Sequence, residues 1–204
     1  FPIQWIPENP RWQNYVDIWH KIPLSKFVLN TVKLTLIVTF LQLLTSSFAA
    51  YAFAKLQFKG KNTLFLAYIT TIAVPWQVYM VPQFMMMRSF GLADTHLAII
   101  CLQAFSAFGV FMMKQFYEGI PTELCEAARI DGMTEYQIWY RVMLPLSKPA
   151  LSTLTIFTFV NTWNDFLGPL IYLTTESKKT LQLGLRMFIS QFGSEYGLIM
   201  AASV

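Results

Sequence analysis

Along this chain the charged residues withdraw into a few short stretches and leave long uncharged runs between them. The intervals Lys33 to Lys55, Lys61 to Arg88 and Asp94 to Lys114 hold 21, 26 and 19 residues without a charge. A helix needs about 20 apolar residues to cross the hydrocarbon of a bilayer, so each run is long enough for one span. A fourth run, from Pro149 to Thr175, is interrupted only by Asp165. The pattern predicts membrane helices at about 27–53, 64–87, 95–114 and 149–173. Buried helices of a soluble bundle would carry polar stripes every 3.6 residues, whereas these runs are apolar all round. The expected fold class is all-α, a polytopic membrane protein with four spans.

Composition narrows the alternatives further. Hydrophobic residues make up 55% of the 204, and charged residues only 13%, about half of soluble-protein usage. A mean hydropathy of +0.45 excludes intrinsic disorder, because such a chain cannot leave its apolar surface in water. Cys101 and Cys125 are too few for a disulfide framework. Cys101 falls within a span and is expected to be sheltered, whereas Cys125, in a polar stretch, is expected to face solvent. The first 26 residues are polar and Pro-interrupted, with no signal-peptide pattern. Phe1 is not a start methionine and the last residues read as the opening of another helix, so a fragment is expected. Lys and Arg numbers tie at seven on each side and leave the topology open.

Between the third and fourth spans lies a polar insert, Lys114 to Lys148, that reads as two short helices around a turn. Pro121 and Thr122 open the first, with Glu123 and Glu126 near the positive end of its dipole. Asp131-Gly132 closes it, since Gly tolerates the positive φ that caps last carbonyls. Thr134 and Gln137 form a capping box for the second helix, which Leu144-Pro145 is expected to end. Tyr136, Trp139, Tyr140 and Met143 make an aromatic stripe along it. The stripe can pack on the protein's own helices or dock a partner, and Glu126-Ala127-Ala128 would allow close backbone approach.

Glu126-Ala127-Ala128, Asp131-Gly132 and Leu144-Pro145 at these spacings resemble the EAA loop of inner-membrane permeases in binding-protein-dependent ABC importers. Asn14-Tyr15, Asn30-Thr31, Ala50 to Ala54 followed by Phe58-Lys59-Gly60, and Trp163-Asn164-Asp165 with Pro169-Leu170 resemble the carbohydrate-uptake branch, the maltose- and glycerol-phosphate-type permeases. Six helices are usual there, so the resemblance implies a chain truncated at both ends. Residues 1–26 would be an extracytoplasmic loop, and 27–204 the transmembrane permease domain with a cytoplasmic coupling loop at about 115–148.

The resemblance also implies partners: a second permease subunit, an ATPase dimer docked on the EAA loops, an extracytoplasmic solute-binding protein and the lipid bilayer, but no nucleic acid. ATP and Mg would belong to the ATPase. This chain has no GxxxxGK[ST] run, no GxG, no HExxH and no GxSxG, so no catalytic or metal site is expected and no cofactor of its own. Glu126, Ala127, Ala128, Asp131, Gly132, Leu144 and Pro145 are the expected coupling residues.

In the fourth span Asn161, Trp163, Asn164 and Asp165 are candidates for the sugar path. A carboxylate in hydrocarbon faces a partner, a cavity or water. Asp165 can instead cap backbone groups freed by a broken helix near Gly168-Pro169. Pro75 and Pro82 are expected to kink the second span, Lys33 to snorkel to the interface, and Gly193 with Gly197 match GxxxG spacing. Two other readings stay open: a permease for an amino acid, peptide, phosphate or metal, and a multi-pass membrane enzyme.

Overall fold

A computed structural model describes residues 12–191 and 200–201, and their regular structure is entirely helical. Gly193, Gly197 and residues 1–11 lie outside the described residues. Helix α1 (Asn14–Lys21) leads into α2 (Leu24–Lys55), whose 32 residues contain neither Gly nor Pro. At 1.5 Å per residue α2 is about 48 Å long, more than the roughly 30 Å of a hydrocarbon core. It is the spine of the molecule. Its inward face is built of small and hydroxylated side chains, including Thr35, Ser46, Ser47 and Ala50. These let α6 (Ala107–Glu118) approach closely. A Cβ placed on Gly109 of α6 would stand 2.5 Å from Ser46 Oγ, so only Gly permits this separation.

The second uncharged run is not one straight helix. It forms α3 (Lys61–Thr70) with a 3₁₀ turn (Thr71–Ala73), then α4 (Trp76–Ser89), and the two parts diverge by 101°. Of the two prolines expected to kink this span, Pro75 breaks it, holding Val74 extended at ψ 112° and offering no N–H to continue the ladder. Pro82 stays within α4. The third span, His96–Glu118, joins α5 (His96–Gln103) to α6 across Ala104–Ser106. Thr45 of α2 donates to the Ala104 carbonyl at 2.7 Å, and Ser106 Oγ accepts from Gly109 N, so backbone groups freed by the interruption find side-chain partners.

The insert holds α7 (Glu123–Ile130) and α8 (Glu135–Ile138), the latter running through a π-turn (Trp139–Met143) into α9 (Leu144–Leu146). The helix expected to end at Leu144-Pro145 thus continues to Leu146. After the π-turn, Pro145 sits in a first helical turn, where its missing N–H costs little. Then α10 (Lys148–Trp163) sets off at 81° to the preceding helix, and α11 (Leu167–Tyr172) and α12 (Leu181–Gln191) follow. Among the described residues, two helices are long and apolar enough to cross a membrane, and up to four spans result if each bent pair counts as one.

A core of Tyr51, Tyr117, Cys125, Ile138, Met143 and Leu154 ties α2, α6, the insert and α10 together at one end. Two smaller cores occupy the other end, one of them around Leu34, Met87, Ile99 and Tyr172. Cys125 departs from its expected exposure: it is fully buried because the inner face of α7 closes on Met143. Cys101 lies within the third span, on the outward face of α5.

Candidate functional site

The insert is held rigidly from within and left open outside. Gly132 takes φ 78°, Gly132 N donates to Arg129 O and Met133 N to Ala128 O, closing α7 as the sequence implies. Thr134 and Gln137 exchange both hydrogen bonds of the capping box, at 2.8 and 3.4 Å. Two side chains of α2 then fasten the insert. Lys55, buried, donates to the Ile120 carbonyl at 2.6 Å and to Thr122 Oγ1. Tyr51 donates to Glu135 Oε2, while Arg129 grips the same carboxylate through Nε at 2.7 Å.

The bracing roles of Lys55 and Tyr51 went unread in the sequence because a lysine at a helix end normally marks the edge of a span. Tyr51 was read only within the Ala50 to Ala54 pattern, and the i, i+4 spacing of the two residues on the last turn of α2 was the signal of a shared face.

Cys125 and Ala128 point inward from α7, whereas Glu126, Ala127, Ile130 and Asp131 point outward, and Ile130 is 87% exposed. Pro145 is exposed too, and Leu144 half-buried. The aromatic stripe divides its work. Trp139 packs edge-on to Phe48 of α2, Met143 is buried, Tyr136 stacks on Phe48 while staying 70% exposed, and Tyr140 remains open. Burial pushes the Cys125 thiol pKa up, which keeps it protonated and inert.

The second constellation lies where three helices are interrupted. Asp165 sits between α10 and α11, its Oδ1 accepting from Gly168 N at 3.1 Å and its Oδ2 from Gln103 Nε2 at 2.7 Å. It therefore caps the start of α11 and joins that break to the end of α5. The same carboxylate lines two cavities, of about 240 and 420 Å³. Asn161 lines the larger one. Trp163 turns away to stack on Phe159 at 5.8 Å, and Asn164 bonds the Val160 carbonyl and Gln182. Of the four residues singled out in this span, the structure brings only Asn161 and Asp165 to the cavities.

A third cluster clasps the end opposite the insert. Asp94, at φ 54°, accepts hydrogen bonds from Thr174 N, Thr175 N, Thr175 Oγ1 and Lys178 Nζ. Those Thr175 bonds, ahead of the Lys178 one, hold its carboxyl pKa far below the usual carboxylate range. Asn30 Nδ2 donates to the Ser177 and Lys179 carbonyls, both at 2.9 Å, and Thr31 Oγ1 accepts from Leu181 N. The Asn30-Thr31 pair thus anchors the segment 174–181.

Residues 42–204 match the model of the family described as binding-protein-dependent transport system inner membrane component. The chain belongs to this family. Among curated proteins it is 38% identical over 175 residues to the arabinooligosaccharides transport system permease protein AraQ of Halalkalibacterium halodurans, aligning 86% of this chain with 63% of that one. It is 32% identical over 191 residues to the lactose transport system permease protein LacG of Rhizobium radiobacter, covering 94% of this chain and 70% of LacG.

The chain therefore spans somewhat less than two thirds of the first of these relatives. A crystal structure of a bacterial ABC transporter involved in the import of the acidic polysaccharide alginate superimposes with a TM-score of 0.86 at 26% identity, covering 97% of this chain and 74% of that one.

Proposed function

We propose that this protein is a permease subunit of an ATP-driven importer and forms part of the translocation path for a sugar delivered by an extracytoplasmic binding protein. The observation that carries the reading is the insert. An acidic and apolar face made of Glu126, Ala127, Ile130, Asp131 and Tyr140 is exposed on an element that stands outside the spans and is fastened to α2 from behind.

Such a face suits docking of a partner, and in this family the partner is an ATPase pair on the cytoplasmic side. The chain then hydrolyses no ATP itself, and ATP and Mg stay with that partner. A second permease completes the channel, against the apolar faces that α2, α4 and α10 turn outward. The end carrying the Asp94 clasp is then extracytoplasmic. Relatives named for arabinooligosaccharides and lactose support a sugar rather than an amino acid, peptide, phosphate or metal as the solute.

Reconstitution tests this. Both permeases, the ATPase pair and the binding protein in proteoliposomes should accumulate sugar only with ATP inside, and Glu126→Lys with Ile130→Asp should abolish uptake by releasing the ATPase. Undiminished uptake with the ATPase still bound to that double variant would remove the insert from this role.

A further inference from the structure

Where α2 runs into α3 the chain forms a basic corner that the transport function does not use. From Ile18 to Ala93 there is no Asp or Glu, yet Lys55, Lys59 and Lys61 all fall on the turn between these two helices. Their charges have different fates. Lys55 is buried and spent on the Ile120 carbonyl and Thr122. Lys114, facing the corner from α6, stands 4.4 Å over the Phe65 ring and pairs with Glu118 at 2.5 Å. Lys59 is exposed and makes no hydrogen bond or ion pair among the described residues. Lys61 gives one N–H to the Leu56 carbonyl at 3.0 Å, which satisfies a donor but leaves its charge without a counter-ion.

The surroundings of these two lysines are apolar. Phe58 is 42% exposed and packs on Phe53 at 6.2 Å between ring centroids, and Phe53 packs on Phe65 at 5.3 Å. Helix α3, which Lys61 opens, has no buried residue and turns Leu64 and Leu66 outward. Lys61 also marks the start of a run of 26 uncharged residues, so the corner lies at the boundary between water and hydrocarbon. We propose that it is a binding site for the phosphate headgroup of an anionic phospholipid, held by Lys59 and Lys61, with the acyl chains laid along Phe58, Leu64 and Leu66. The site requires only that the chain span a membrane. It uses none of the residues that line the cavities at Asp165 or form the outward face of the insert.

Charge and shape choose the occupant. Two ammonium groups without counter-ions, beside exposed apolar side chains, match a molecule that is anionic at one end and apolar along the rest. A soluble anion would gain nothing from Phe58, Leu64 and Leu66. The apolar surface of α3 continues without a charge from this corner into the span, so a lipid lying on Leu64 and Leu66 brings its headgroup to the level of Lys61. The outward face of the insert carries Glu126 and Asp131 instead and would repel the same headgroup.

The complete importer, purified in detergent and titrated with phosphatidylglycerol and separately with phosphatidylcholine, tests the site by native mass spectrometry. The wild type should retain phosphatidylglycerol at far lower concentrations than phosphatidylcholine. A lysine near the bilayer surface contributes on the order of fivefold to anionic-lipid affinity, so Lys59→Gln should raise the half-saturating phosphatidylglycerol concentration about fivefold, and Lys59→Gln with Lys61→Gln about 25-fold. Lys59→Arg, which keeps the charge, should bind as the wild type does. Lys26→Gln, which removes an exposed lysine near the opposite end of α2, should change nothing.

Lys61→Gln also removes the bond to Leu56, so Lys59→Gln, which removes none, is the deciding variant. An unchanged half-saturating concentration in Lys59→Gln overturns the site. An equal loss in Lys26→Gln assigns the retention to net charge and overturns it as well, as does displacement of bound phosphatidylglycerol by an equal concentration of inorganic phosphate. Release of the second permease or the ATPase pair from Lys59→Gln in phosphatidylcholine alone would make this corner a protein interface, which also removes the lipid from it.

Discussion

The insert and the broken-helix centre both place polar groups in a largely apolar chain, yet they are built in opposite ways. In the insert the stabilising bonds are mostly local: Gly132 to Arg129, Met133 to Ala128, Thr134 with Gln137 and Arg129 with Glu135. Its outward side chains, Glu126, Ala127, Ile130 and Asp131, stand exposed. In the centre the polar groups are spent on one another over long separations, Gln103 on Asp165, Thr45 on Ala104 and Thr158 on Gln42.

The difference follows from the surroundings. In water an unpaired side chain is solvated at no cost, whereas within hydrocarbon every donor and acceptor freed by a break must find a protein partner or a wet cavity. Glu126 therefore stands exposed to solvent, whereas Asp165 is paired at a seam between helices.

The strongest challenge to that contrast is at Asp165. Asp165→Leu orphans the Gly168 and Gln103 donors, at about 1–3 kcal/mol each, and should sharply lower complex yield and thermal stability in detergent. Asp165→Asn should be mild, since an amide oxygen still accepts. Equal yields of the Leu variant and wild type would show that the centre does not depend on internal pairing.

Lys55 comes next. Replacing it with Met leaves the Ile120 carbonyl without its donor, at about 1–3 kcal/mol. Limited proteolysis should then cut the insert faster while the spans stay protected, because α2 loses its grip on one element only. Unchanged cleavage would make the insert self-supporting.

Gly132→Val strains a positive-φ cap by about 1 kcal/mol or more. Assembly should survive while uptake falls, as α7 and α8 shift relative to the docked ATPase. Wild-type uptake at normal subunit levels would show that the turn geometry is dispensable.

The smallest effect is at Cys125. A membrane-impermeant maleimide should leave it unlabelled from either side of the folded protein and label it rapidly once the insert is unfolded. Fast labelling of the native protein would contradict the packing of α7 against Met143.

Much of the insert was legible in advance because its signals are local. A positive-φ Gly, a Thr with Gln three residues on and acidic residues in a first turn act within a few residues, so sequence order nearly is spatial order. The Pro75 break was legible for the same reason, since it follows from the proline ring itself. The sugar-path candidates fared differently. Asn161, Trp163, Asn164 and Asp165 are neighbours in sequence, but a helix turns adjacent residues by about 100°, and the end of α10 sends Trp163 and Asn164 away from the cavities that Asn161 and Asp165 line.

By itself the sequence determined that the chain is helical and membrane-spanning, where the charged residues interrupt it and how the turn and caps of the insert form, because hydropathy and capping act through composition and near neighbours. Tertiary structure alone decided that Lys55 and Tyr51 brace the insert, that Cys125 is buried, that Asp94 clasps residues 174–181 and that Gln83 and Gln103 meet Asp165 around a cavity. Those outcomes depend on which faces of distant helices meet and at what angle, and the 101° bend at Pro75 and the close approach of α2 and α6 at Gly109 set that geometry.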